Sequence, residues 1–150
     1  MGTRSTITIY EKENDTVIPV VNIYQHYDGY LEGVGKSFCE WLMDKTIVNG
    51  LSYDDKYRDN VANGIGCLVA QYIRDIKDCA GDVYIYPIIY DIYKNVDYNY
   101  VVTFDANHKL PCKASNMATI TVNNWGNKPF FKGNPKELLD YIEKHKEEDE

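Results

Sequence analysis

The stretch Gln25-His26-Tyr27-Asp28-Gly29-Tyr30 puts an amide, an imidazole, a carboxylate and two phenols into six residues. Such a set can donate, accept and exchange protons around one polar ligand. His26 and Asp28 stand two apart, and in an extended strand positions i and i+2 share a face. The carboxylate could then hold the imidazole tautomer and raise its basicity. His26, Asp28 and Tyr30 are therefore the candidates for proton transfer at a phosphodiester or similar bond. The plainer reading is a polar turn, since Asp-Gly is a turn dipeptide. No Ser-His-Asp order or paired-carboxylate motif stands behind the catalytic one.

Gly33-Val34-Gly35-Lys36-Ser37 follows and ends as a phosphate-binding P-loop ends. The full pattern requires Gly at position 30, where this chain has Tyr30, so a nucleotide triphosphatase is set aside. A weaker form of the same physics survives. Glycines ahead of a helix can leave backbone N–H groups free and Lys36 adds a cation, so Gly33, Gly35 and Lys36 form a candidate anion seat. Against this, the two glycines can simply turn the chain and cap the helix. Arg4 and Ser5 could bring a further cation and hydroxyl to a neighbouring strand end.

The elements that must carry these residues are readable from periodicity. Ser5 to Tyr10 alternates as a strand, Glu11 to Asp15 is a polar turn, and Val17 to Tyr24 is β-branched, which predicts a hairpin. Phe38, Trp41 and Leu42 fall at helical spacing over about Lys36 to Asp44. A second helix is expected from Val61, Ile65, Leu68, Val69, Tyr72, Ile73 and Ile76, with Gly64 and Gly66 inside it or delaying its start. Val83–Tyr86 and Tyr98–Phe104 read as strands. Ala118–Val122 and Pro129–Lys132 flank a hairpin loop bearing Trp125, an exposed aromatic suited to a partner contact. Asn134 and Pro135 signal the start of a last helix. Hairpins clustered apart from helices predict an α+β fold: an antiparallel sheet built from hairpins, with about three helices packed on one face. One domain spans 1–146, and an acidic tail at 147–150 opposes the helix dipole and should fray.

Composition bounds the function classes. The chain has 150 residues, 44% hydrophobic and 26% charged, which suits one globular domain. Its formal net charge of −7 with three arginines (Arg4, Arg58, Arg74) argues against duplex DNA as a partner. No apolar run is long enough to span a membrane, and the first residues lack the apolar core of a signal peptide. Gly2 with Thr6 formally fits a myristoylation pattern, but Thr6 to Ile9 reads better as strand. Cys39, Cys67, Cys79 and Cys112 are scattered without metal-ligand spacing, so free thiols, no metal, no cofactor and a cytoplasmic setting are expected. Tyr84, Tyr86, Tyr90, Tyr93, Tyr98 and Tyr100 could stack bases, although amphipathic sheet rings are the plainer reading.

Met1 to Ser5, Tyr24 to Tyr30 with Gly33 and Gly35, Asn63 to Gln71, and Tyr84 to Pro87 together resemble a family of small proteins from bacteria, bacteriophages and other viruses. The resemblance covers most of the chain and carries no activity to transfer. In the family pattern the His26 and Lys36-Ser37 positions vary. The resemblance therefore implies a shared constellation of Arg4, Gln25, Asp28, Gly29, Tyr30, Asn63 and Gly64. It suggests that the Asp28-Gly29-Tyr30 loop and the Asn63-Gly64 helix start meet around one polar ligand. It also implies a viral or phage antagonist of host defence, acting in the host cytoplasm by holding a signal or blocking a host protein.

Three readings follow. The first is a module, monomeric or homodimeric, that binds a small polar, phosphorylated or nucleotide-like ligand. The second is a phosphodiester-type hydrolase using His26, Asp28 and Tyr30. The third is an acidic protein–protein interaction module using Trp125.

Overall fold

The computed structural model describes residues 2–52, 54, 58–88 and 95–148. In chain order its elements are β1 (Ser5–Glu13), β2 (Thr16–Gln25), a π-turn (Leu31–Gly35) running into α1 (Lys36–Met43), β3 (Thr46–Val48) and β4 (Val61–Asn63). Then come α2 (Ile65–Ile76), β5 (Val83–Tyr86), β6 (Tyr98–Asp105), β7 (Cys112–Lys113) and the single turn α3 (Ala114–Met117). β8 (Ala118–Asn124), β9 (Pro129–Gly133) and α4 (Pro135–Glu148) complete the fold.

Six strands form one sheet in the order β5-β2-β1-β6-β8-β9, and β4-β3-β7 form a small second sheet. β1 and β2 make the expected antiparallel hairpin, turned at Asn14, whose φ of 55° suits a short polar side chain. A bulge between Ile9 and Tyr10 falls where Pro19 enters the register, a position at which a missing N–H is tolerated. The class is α+β, with a mixed sheet. β1 pairs parallel with β6, and β3 parallel with β4, while the other pairings are antiparallel. Only the return of the chain from β5 at the sheet edge to β6 at its centre creates the first parallel pair.

One sheet face carries Ile7, Ile9, Ile23, Tyr100, Val102, Phe104, Ile120 and Val122, every second residue of four adjacent strands. These join Phe38, Cys39 and Leu42 of α1, Leu68 and Tyr72 of α2, and Leu138 and Ile142 of α4 in one core. Each fully buried aliphatic or aromatic side chain contributes about 1.5–3 kcal/mol, which is what holds the helices on this face.

The opposite face is buried at its centre yet polar. Thr8 Oγ1 donates to Asn22 Oδ1 at 2.6 Å, and Asn99 Nδ2 donates to Thr6 Oγ1 at 2.7 Å and Thr8 Oγ1 at 3.0 Å. Asn123 Nδ2 donates to Asn99 Oδ1 at 3.1 Å. The ladder crosses β2, β1, β6 and β8, so a slip of any one of them would orphan buried polar groups.

Two boundaries differ from the periodicity. Val61 lies in β4, not in the second helix; α2 starts at Ile65 because Gly64, at φ 88°, breaks the helical path before it. α4 opens with a reciprocal capping box, Asn134 Oδ1 accepting from the Glu137 N–H at 2.8 Å and Glu137 Oε1 from the Asn134 N–H at 3.0 Å. Its helical backbone continues to Glu148, two residues into the tail expected to fray. Asp149 and Glu150, like Met1, Tyr90, Tyr93 and Lys94, lie outside the described residues.

Candidate functional site

Strand register brings the sequence's chemistry to one end of the large sheet. Ser5 pairs with Gln25 and with Tyr98, and Tyr98 pairs with Asn124, so β1 and β6 begin where β2 and β8 end. The residues just beyond this line therefore converge: Gly2 to Arg4, His26 to Tyr30, Asp97 and Trp125.

The 26–30 loop is pinned from two sides. The Gly29 N–H donates to the Thr3 carbonyl at 2.8 Å, and the buried Tyr100 hydroxyl donates to the Gly29 carbonyl at 2.8 Å. A Cβ on Gly29 would come within 2.6 Å of Ser5 Cβ, and one on Gly33 would collide with the Asp28 carbonyl oxygen. Asp28 itself turns the chain at φ 58°. These glycines serve close packing, and the anion seat expected at Gly33, Gly35 and Lys36 is not formed. The Val34 N–H donates to the Asp28 carbonyl, and the Gly33 and Gly35 N–H groups donate to that of Tyr30. The Lys36 N–H bonds the Gly33 and Leu31 carbonyls. No amide in that run is left to hold an anion.

Tyr30 is a wall of three clefts around this loop, and two of them gather the residues that the sequence singles out. The larger, about 740 Å³, is lined by Arg4, His26, Tyr30, Tyr98, Asn124 and Trp125 among others. The Arg4 guanidinium carbon lies 6.0 Å from the centroid of the Trp125 ring, and that ring is 57% exposed. Arg4 is placed by its own backbone: its N–H donates to Asp97 Oδ2 at 2.9 Å, and its carbonyl accepts from the Asp97 N–H at 3.0 Å. His26 Nδ1 lies 2.9 Å from the Tyr24 hydroxyl. Burial raises the Tyr24 phenol above its usual range, and the Arg4 guanidinium offsets part of that rise.

The smaller cleft, about 320 Å³, is lined by Gln25, Asp28, Ser37, Tyr72 and Asp82 together with Tyr30. Asp82 Oδ1 accepts from the N–H groups of His26 and Tyr27, each at 3.2 Å. Burial raises the Tyr72 phenol well above its usual range.

The expected His26–Asp28 pair is not made. β2 ends at Gln25, so the extended backbone that would align the two side chains stops before them. His26 pairs with Tyr24 instead, two residues back on the strand, while Asp28 Oδ1 accepts from the Tyr30 hydroxyl at 3.4 Å. His26 faces the larger cleft and Asp28 the smaller.

The two glycine-bearing segments do not meet either. Asn63 Oδ1 accepts from the Gly50 N–H at 2.8 Å, near the small sheet. It is Tyr72 and Ile76 of α2 that face the loop, and Tyr72 lies two helical turns, roughly 12 Å, beyond Gly64. Gly35 packs under the Tyr100 ring, and Lys36 lines neither cleft. The tyrosines form no single platform: Tyr84 and Tyr86 stack beside Tyr24, whereas Tyr98 and Tyr100 stack on the core face. Arg4, His26, Tyr30 and Trp125 are thus gathered in one cleft, and Gln25, Asp28, Tyr30 and Gly33 in the other. Asp82 and Asp97 went unmarked in the sequence, because only strand pairing puts them beside the loop. Among the described residues no group of three or more His, Cys, Asp and Glu could hold a metal ion. None of their helices is long and apolar enough to cross a membrane.

No family model, curated protein or solved structure matches this chain.

Proposed function

We propose that the protein is a binding module for a small nucleotide-like ligand, held in the larger cleft with its planar ring on Trp125 and its anionic group at Arg4. The observation that carries this reading is the placing of an exposed indole and the guanidinium of Arg4, 6.0 Å from its ring centroid, on one 740 Å³ cleft. Stacking a base on an aromatic ring contributes about 1–3 kcal/mol, and a guanidinium is the side chain best matched to a phosphate. The Asn124 carboxamide and the Tyr30 phenol on the same walls supply polar contacts that orient a ring without charge. Because His26 and Asp28 face different clefts, the geometry favours binding over hydrolysis by that pair. The biological setting, sequestration of a defence signal by a viral or phage protein, rests on the family resemblance alone.

Thermal unfolding and tryptophan fluorescence against nucleoside monophosphates and cyclic dinucleotides test the reading. A ligand at 100 times its Kd adds about 2.7 kcal/mol, a shift of roughly 5–10 °C for a chain of this size. The shift and the quenching of Trp125 are expected to vanish in Arg4→Ala and Trp125→Ala. If no nucleotide moves either readout, the proposal fails, and salt-sensitive binding to a basic protein becomes the reading to pursue.

A further inference from the structure

Three groups on the larger cleft have hydrogen-bonding capacity that the fold leaves unused. Asp97 commits one carboxylate oxygen, Oδ2, to the Arg4 N–H at 2.9 Å, and among the described residues nothing bonds its Oδ1. Asn124 commits its side-chain oxygen to the Lys128 N–H at 3.3 Å. That bond orients the amide and leaves both Nδ2 hydrogens without a partner among the described residues. The Arg4 guanidinium likewise makes no hydrogen bond or ion pair among them and lies beside the Trp125 ring. Strand register sets these groups together. Tyr98 pairs with Asn124, so Asp97 and Trp125, each one residue beyond that pair, are neighbours across the sheet end.

The set offers a donor and two acceptors beside an aromatic plate. A carboxylate only accepts and repels an anion, so a nucleotide's phosphate goes to the Arg4 guanidinium and the edge of its base meets Asp97. Guanine presents an acceptor and two donors in line along that edge: O6, N1–H and the 2-amino group. The Asn124 amide can donate to O6 while the Asp97 carboxylate accepts from both nitrogens, Oδ2 having a second lone pair beyond the one that Arg4 uses. Adenine presents the opposite pattern, a 6-amino donor against the amide and the N1 lone pair against the carboxylate. Cytosine turns two lone pairs toward it, and uracil offers it a single N–H. Guanine alone matches every group.

We propose that the larger cleft selects guanine nucleotides, with Asp97 as the specificity-determining residue that accepts from N1–H and the 2-amino group while Asn124 donates to O6. This rests on the nucleotide reading of the same cleft and adds to it the identity of the base.

The test is calorimetric titration of the full chain with GMP, IMP, XMP and AMP, which share ribose and phosphate and differ in the edge of the base. Cyclic di-GMP and cyclic di-AMP serve as larger counterparts. Each guanine nucleotide is expected to bind about tenfold or more tightly than its adenine counterpart, the discrimination that a matched pair of hydrogen bonds to a base supplies. IMP, which lacks only the 2-amino group, is expected to fall between GMP and AMP. Asp97→Asn keeps an oxygen for the Arg4 N–H and puts an NH₂ where Oδ1 stands. A donor there opposes the 2-amino group of guanine and suits the O2 of xanthine, so the variant is expected to bind XMP more tightly than GMP, the reverse of the parent. A purely structural role for Asp97 would weaken every nucleotide alike and leave their order unchanged, which overturns the proposal. Should Asp97→Asn fail to fold, the parent decides: IMP binding as tightly as GMP overturns it. Guanine nucleotides no tighter than their adenine counterparts overturn the choice of base and leave the nucleotide reading in place. Absence of binding by all six overturns both.

Discussion

Replacing Tyr100 by Phe removes one oxygen atom and tests how the candidate site is held in place. The Tyr100 ring is 1% exposed, and its hydroxyl donates at 2.8 Å to the carbonyl of Gly29, itself buried. The Phe ring keeps the packing, so the loss is that of a partner for a buried carbonyl, about 1–3 kcal/mol. For a chain of this length each kcal/mol shifts the melting temperature by about 2–4 °C, so a central value near 2 kcal/mol predicts a drop of about 6 °C. In urea, a slope of about 2 kcal/mol/M turns the same loss into a midpoint roughly 1 M lower, with the slope unchanged. Tyr84→Phe is the control, because Tyr84 is 43% exposed; its effect should stay within about 0.5 kcal/mol. Gly29 would then keep only its N–H bond to Thr3, so affinity in the larger cleft should fall along with stability. A Tyr100→Phe variant as stable as the parent would refute the reasoning, since water would then be reaching the Gly29 carbonyl.

Alkaline pH should unfold the protein through groups that burial keeps protonated. The Cys39 thiol is pushed up from its usual 9.0 to about 12, and burial raises the Tyr72 and Tyr100 phenols above their usual 10.0. The unfolded chain releases these protons first, so the stability is full below about pH 9 and is lost as pH rises toward the folded-state values. Each group contributes a slope of about 1.4 kcal/mol per pH unit inside its window. Urea midpoints at pH 8 and pH 10.5 check this, and Cys39→Ala should lessen the decline between them; equal midpoints in the parent would contradict it. Gly33→Ala should cost several kcal/mol, beyond the usual 0.5–3 for a point change, because the added methyl meets the Asp28 carbonyl. Circular dichroism melting reads that loss, and a variant within about 1 kcal/mol of the parent would show that the loop can yield.

Much of this fold is written in local pattern. The alternation of Ile7 and Ile9 with Thr6 and Thr8, the Phe38–Leu42 spacing and the Asn134-Pro135 start each imply their element, because side-chain period and capping chemistry are properties of a few consecutive residues. The loop at 25–37 also stood out, since its polar density and glycines are local too. The reason for those glycines did not. An anion seat and a close-packed turn use the same residues, and only the carbonyls of Asp28 and Tyr30, folded back onto the Gly33, Val34 and Gly35 amides, decide between them. The His26–Asp28 pair failed for a comparable reason: its two-residue spacing means a shared face only while the strand lasts, and β2 ends at Gln25. What tertiary structure alone decided is long-range. The parallel pairing of β1 with β6 carries Asp97 to Arg4, the β6–β8 pairing brings the loop that bears Trp125 to the same end, and the packing of α2 sets Tyr72 beside Gln25. Contacts across such sequence distances leave no period in the chain, because they depend on which strand edges and helix faces remain to be buried once the local elements have formed.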